Sequence, residues 1–532
     1  MLEGGAFGGS GQSPALLPAT LPCRCNPTSD QENAAVFLGL DFGTSSLKAL
    51  LVDSEQRVVG SASRPLDVQR PAPGHSEQEP EAWWQAMLDA VDALHRDHPA
   101  ALSAVQGIGL SGQMHGAVLL DASGAVLRPA ILWNDVRAVA ECRALEADFP
   151  GLRERSGNIA MPGFTAPKLL WVRTHEPEVF ARTATVLLPK AWVRYRLTGE
   201  RIEEMSDASG TLWLDVGARD WSDAALAATG LSRAAMPRLV EGNAVAGTLL
   251  PSLAARWGMA RRPVLAGGAG DNAAGAVGLG AIRPGDAFVS LGTSGVLFAV
   301  TDRFRPCPER AVHAFCHALP GLWHQMGVTL SAAASLAWWS GVTGLGEQAL
   351  LDELARAGDP PQAPSAALFL PYLGGERTPH NDGAVRGAFA GLSHDTGRAA
   401  LTQAVLEGVA FSMRDCLDAL AASGTAIGSA DVIGGGSRSR LWVAIIASVL
   451  GLPLHRLADG EHGGAFGAAR LARMAATGEP PGSLCGPPAR LETIDPDPAL
   501  AVAYAARLSE YRALYHGVAG AIPPHRTARR SA

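Results

Sequence analysis

The run Ala266-Gly267-Gly268-Ala269-Gly270-Asp271-Asn272-Ala273-Ala274-Gly275 carries one ionisable side chain, Asp271. A carboxylate beside an amide and among glycines can take a proton from a hydroxyl while backbone and substrate approach closely. It can equally cap a helix. A second constellation is Asp41-Phe42-Gly43-Thr44-Ser45. The backbone N–H groups of such a turn, with the hydroxyls of Thr44 and Ser45, can cradle phosphate oxygens. Asp41 is placed to hold Mg²⁺ through water, although a plain hairpin would give the same pattern. A third is Gln113-Met114-His115-Gly116, at the end of the apolar run Val105–Ser111. Met114 and His115 there either meet a substrate, or His115 is simply a satisfied buried histidine. A fourth, Asn134-Asp135-Val136-Arg137, either lines a cleft or makes a structural ion pair.

These residues need strands and turns to hold them. Pro263-Val264-Leu265 reads as a buried strand, and Ala273 to Gly280, almost all small residues, as a helix packed close to a neighbour. Asp271 and Asn272 fall where that strand hands over to that helix, the place where open α/β sheets bind ligands. Val36 to Asp53 reads as strand, tight turn, strand. Asp286 to Val300 repeats the design, with Gly292-Thr293-Ser294 in the turn and Ser290 where the first copy has Asp41. The repeat suggests a duplicated domain whose two lobes grip one nucleotide. Val432-Ile433 leads into Gly434-Gly435-Gly436-Ser437-Arg438. Glycines after a buried strand let backbone lie flat against an adenine or ribose, or simply turn the chain. Leu441, Trp442, Ile445, Ile446 and Val449 then mark a helix with one apolar face. Glu77 to Trp84 is expected to open an amphipathic helix. The Glu376-Arg377 pair, in Phe369–His380, is expected to hold its own loop.

A chain of 532 residues calls for at least two domains. The formal charge of -7 offers no basic stripe for nucleic acid or an anionic membrane. No apolar run approaches the roughly 20 residues that span a bilayer. Seven scattered cysteines suit a reducing cytoplasm. Cys307, His313, Cys316, His317 and His324 lack the paired spacing of a zinc site. Residues 1–34 read as a disordered extension and 521–532 as a flexible tail.

The chain resembles the FGGY carbohydrate kinase family. The matching stretches are Asp41–Ser45, Gln113–Gly116, Ile131–Asp135, Met161–Val172, Met205–Thr211, Gly270–Gly275 and Ser290–Gly295, and the similarity runs from about Val36 to about Tyr515. Gly163 to His175 fits the family's first signature. Two departures stand out: Ala400 where an acid or amide is usual, and no Pro or Glu before the helix from Gly463. The resemblance implies two ribonuclease H-like lobes of the actin-like ATPase superfamily, 35–282 binding sugar and 283–520 binding nucleotide, with the active cleft between them. It implies ATP-dependent phosphorylation of D-xylulose to D-xylulose 5-phosphate, with another ketose or polyol such as L-ribulose or glycerol as the alternative. Asp271 would then be the general base and Asp41 the holder of Mg²⁺. Met114, His115 and Asn272 would meet the sugar. ATP would lie on Gly43, Thr44, Ser45, Gly292, Thr293 and Ser294, with its nucleoside on Gly434 to Arg438. Sugar and nucleotide are the expected partners, with a homodimer possible.

Overall fold

The structure is a computed structural model, which describes residues 35–519 except 357, 359, 360, 362 and 459–462. The expected extension 1–34 and tail 521–532 lie outside the described residues.

Apolar alternation and Gly-rich turns build two seven-stranded sheets. In the first, β1 (Val36–Phe42), β2 (Ser46–Asp53) and β3 (Val58–Pro65) form an antiparallel meander. β4 (Val105–Gly112) lies parallel to β1. β5 (Val245–Thr248) borders β6 (Val264–Ala266), which runs parallel to β4; β7 (Ala269–Gly270) also joins β4. In the second sheet, β8 (Ala287–Leu291) and β9 (Gly295–Thr301) make the repeated hairpin. β10 (His313–Cys316) and β11 (Trp323–Thr329) extend it on the β9 side. β12 (Ala430–Ile433), β13 (Leu454–Leu457) and β14 (Arg490–Ile494) extend it on the β8 side.

The order β3-β2-β1-β4-β6 thus recurs as β11-β9-β8-β12-β13, with the same antiparallel and parallel pairings. The duplication expected from the two Gly-Thr-Ser turns is present in the strand connections, and each half has the ribonuclease H-like plan.

Seven helices matter below. They are α1 (Thr165–His175), α2 (Pro189–Thr198), α3 (Met205–Ser209), α4 (Asp271–Leu279), α5 (Ala333–Thr343), α6 (Arg440–Leu450) and α7 (Gly464–Thr477). The small residues of α4 do allow a close neighbour. A Cβ on Gly467 of α7 would stand 1.8 Å from the Ala274 carbonyl oxygen.

α7 crosses the chain's midpoint. It comes late in the sequence, yet it lies on the first sheet. A Cβ on Gly39 of β1 would be 1.8 Å from the Ala465 carbonyl, and one on Gly109 of β4 would be 1.9 Å from that of Ala468. A cut at 282/283 follows the sheets but not this helix.

Glu77 and Gln78 do not begin a helix. They pair as a short strand with Ala130–Ile131, and the helix starts at Pro80, whose fixed φ suits a first turn. No helix among the described residues is long and apolar enough to cross a membrane.

Candidate active site

Asp271 is the first residue of α4, and Gly270 is its N-cap. The carboxylate oxygen Oδ1 accepts from the Asn272 backbone N–H at 2.7 Å and from the Asn272 side-chain amide at 2.9 Å. Oδ2 has no hydrogen-bond partner among the described residues. The side chain opens onto a cavity of about 680 Å³. Although the side chain is open to the cavity, the protein packed around it is the main reason its pKa rises to about 6. The Asn272 backbone pulls it down, and the negative charge of Asp41 pushes it up again. A helix cap gains from a low pKa; a proton acceptor gains from one near working pH.

Met114, His115, Asp271 and Asn272 line this cavity together with Gly292, Thr293 and Ser294 of the second hairpin. His115 holds a left-handed backbone, φ 71°. Its Nδ1 lies 2.7 Å from the Gly210 carbonyl oxygen. A carbonyl only accepts, so the proton sits on Nδ1 and Nε2 is left as an acceptor. Burial, then the charge of Lys168, holds the ring's pKa down to about 3, so it is neutral. The His115 carbonyl is pinned by the Lys168 ammonium at 2.9 Å and the Thr165 hydroxyl at 3.1 Å, both from α1.

Asp41 lies one residue from the end of β1, across from Lys48 of β2. Its Oδ1 accepts from the Ser111 hydroxyl at 2.7 Å. Burial raises its pKa, while Ser111 and Lys48 lower it. One carboxylate with one oxygen already held suits Mg²⁺, which keeps most of its waters and takes few protein ligands. Thr44 does not line the cavity. Its hydroxyl donates to Gln113 at 3.2 Å and accepts from the Trp133 indole at 2.9 Å. The residues Gly434 to Arg438 lie apart from the cavity but touch the second hairpin. Gly434 has φ 86°, and a Cβ there would stand 2.8 Å from the Leu291 carbonyl carbon. The Ser437 and Arg438 carbonyls both accept from Arg456.

The fourth constellation does both: Asn134 and Asp135 line the cavity, and Asp135 forms an ion pair with Arg137 through several hydrogen bonds while also accepting the Ser76 N–H. Glu376 holds its loop, as expected, by accepting from the Thr329 hydroxyl and the Leu330 N–H.

Further residues line the cavity. The Asn134 side-chain oxygen is buried without a partner and lines the cavity. Arg377 lines it too and donates to His313 Nε2 at 3.3 Å, while His313 Nδ1 lies 2.8 Å from the Asn158 side-chain oxygen. Asn158 and Arg377 meet His313 only through contacts between distant segments, so no local pattern announces that network.

Glu203, Glu204 and Asp207 form a buried acidic group with metal-like spacing. The Lys190 ammonium already sits 3.1–3.4 Å from all three, in the position a cation would take.

The N-terminal domain model of the FGGY family of carbohydrate kinases matches residues 36–278, and the C-terminal domain model matches residues 287–476. The chain is 50% identical over 481 residues to the xylulose kinase of Escherichia coli (strain K12), covering 90% of this chain and 98% of that protein. Among solved structures, a xyloylose kinase from Brucella ovis is 55% identical, with a TM-score of 0.89 over 92% of this chain and 100% of that one. A xylulose kinase from Rhodospirillum rubrum is 31% identical, with a TM-score of 0.84 over 91% and 99% of the two chains.

Proposed function

Because the chain belongs to the FGGY family of carbohydrate kinases, we propose that it transfers the terminal phosphoryl group of ATP to D-xylulose, giving ADP and D-xylulose 5-phosphate. One observation carries the chemistry: a single cavity joins Asp271, with its raised pKa, to Met114, His115 and Asn272 on one side and to the Gly292–Ser294 turn on the other. The choice of sugar is supported by likeness to the E. coli xylulose kinase along nearly the whole chain. The reaction belongs in the cytoplasm, where ATP is supplied.

Phosphoryl transfer asks mainly for positioning and charge neutralisation. Asn272 occupies Oδ1 of Asp271, so Oδ2 takes the proton of the sugar hydroxyl. The hydroxyl oxygen bonds to the terminal phosphorus as the bond from that phosphorus to ADP breaks. ADP leaves with the electron pair. Neutral His115 accepts a sugar hydroxyl at Nε2, and Asn134 offers a second acceptor. The N–H groups of the two Gly-Thr-Ser turns bind phosphate, and Gly434 to Arg438 form the shelf for the nucleoside. Mg²⁺, when bound with the nucleotide, supplies charge neutralisation at the phosphates, and Asp41 would hold it through water.

Two measurements test this reading. In an ADP-release assay over pentuloses, hexuloses and polyols, D-xylulose gives the highest kcat/KM. A tenfold preference for L-ribulose or glycerol, about 1.4 kcal/mol in the transition state, overturns the choice of sugar. Asp271→Asn keeps D-xylulose binding by calorimetry and lowers kcat by roughly 10²–10⁴. Turnover within about threefold of the wild type removes Asp271 as the base, since Asn replaces Asp well in a merely structural cap.

A further inference from the structure

We propose that Ser206 is a positioning residue for Asp271; the inference rests on the reading of Asp271 as the base. Ser206 lies in α3, a five-residue helix that is buried throughout. Its hydroxyl stands 2.9 Å from each carboxylate oxygen of Glu204, which can only accept, so the hydroxyl proton points there. The same oxygen then accepts the Gly270 N–H at 3.0 Å. Gly270 is buried and immediately precedes Asp271, so this bond fixes the backbone from which the base projects.

Glu204 cannot turn away. It accepts the Ser206 N–H at 2.7 Å and the Asp207 N–H at 2.8 Å, and Lys190 lies 3.4 Å off. One turn back along the base loop, the Arg194 guanidinium donates to the Gly267 carbonyl. The loop from Gly267 to Gly270 is therefore held at both ends from beneath, by α2 and α3.

α3 also reaches the rest of the site. The Gly210 carbonyl just past its end fixes the His115 tautomer, and the Ser209 hydroxyl accepts the Cys316 N–H from β10 of the second lobe at 3.0 Å. One short helix thus sets the base, the sugar-side histidine and a strand of the opposite sheet against one another.

The test is a double-mutant cycle on the full chain. Ser206→Ala deletes the acceptor; Ser206→Cys keeps the volume and weakens the bond, so it is the variant expected to fold if the alanine form does not. Each lowers kcat by about 10–100-fold, the scale of a misplacement of about 1 Å, with KM for sugar and ATP within about threefold. In an Asp271→Asn background the same changes cost less than about threefold more in kcat, because the group they position is already gone. Their cost in melting temperature is equal in both backgrounds. An unchanged kcat in Ser206→Cys, or the same fold-loss with and without the Asp271 carboxylate, overturns the inference while leaving Asp271 as the base. Full turnover by Asp271→Asn alone removes the reading beneath it as well.

Discussion

The two Gly-Thr-Ser hairpins share a backbone plan and differ in what surrounds it. In the first, Asp41 lies one residue from the strand's end, with Ser111 on one oxygen and Lys48 opposite. Its turn is held by side chains: Gln78 donates to the Thr44 carbonyl, and Gln113 and Trp133 engage the Thr44 hydroxyl. In the second, Ser290 stands where Asp41 would be, and the turn is held by backbone. The Gly292 carbonyl accepts the Ala333 N–H and the Thr293 carbonyl accepts the Ala332 N–H, at the start of α5. Two copies of one turn have therefore kept the backbone and diverged in their side chains. The first keeps a carboxylate and a web of side chains. The second keeps a bare turn that lines the cavity.

The largest expected effect comes from erasing that asymmetry. Asp41→Asn leaves the Ser111 bond possible but removes the carboxylate that sets the first turn apart from the second. The Mg²⁺ midpoint for turnover rises by about 10–100-fold, the scale seen when a metal's supporting shell is altered. The same change withdraws a negative charge from Asp271, so the acidic limb of kcat/KM, expected near pH 6, moves down. A Mg²⁺ titration identical to the wild type would make the first turn as plain as the second.

The reverse change is smaller. Ser290→Asp puts a further carboxylate into the cavity that Asp271 lines with Asp135 and Glu376. Like charges raise each other's pKa, so the acidic limb moves up by about one unit. Activity falls about fivefold at pH 6 and recovers by pH 8.5. A limb that stays in place would show that Ser290 is too far from Asp271 to be felt.

Stability gives a third reading. Burial and Asp41 hold the Asp271 pKa at about 6, above its ordinary value near 4. Its contribution is thus fully present below pH 4 and lost as pH rises through 6. Asp271→Asn melts higher than the wild type at pH 8, and the gap closes by pH 4. A gap that persists at pH 4 would assign the gain to packing.

The smallest effect separates the two threonines. Thr44→Val loses two hydrogen bonds and costs about 1 kcal/mol in denaturant unfolding. Thr293→Val, with an exposed side chain, costs almost nothing.

Much of this was legible from short-range pattern. Asp41-Phe42-Gly43-Thr44-Ser45 and its repeat state their turns in local chemistry, and Asp271 sits at a strand-to-helix change that apolar runs and glycines define. The rest lies in contacts that sequence spacing does not encode. Ser111 meets Asp41 across two strands, and Ser206 meets Gly270 from a helix too short to have a period. Asn158, His313 and Arg377 converge from three segments. Glu77 and Gln78 misled because their polarity resembles a first helical turn, while pairing with Ala130–Ile131 decided otherwise.

The return of α7 to the first sheet has a consequence for birth on the ribosome. Strands β1, β4 and β6 emerge early, but Gly39 and Gly109 are covered only when Ala465 and Ala468 arrive. At about 5–20 residues per second, the interval between Leu279 and Gly464 is roughly ten to forty seconds. During it the first half carries a bare apolar face, lined with glycines, that no earlier segment fills. The two halves therefore do not mature one after the other in the order they are made. The older half is finished by the younger, and a nascent chain stalled before Gly464 is a client for chaperones.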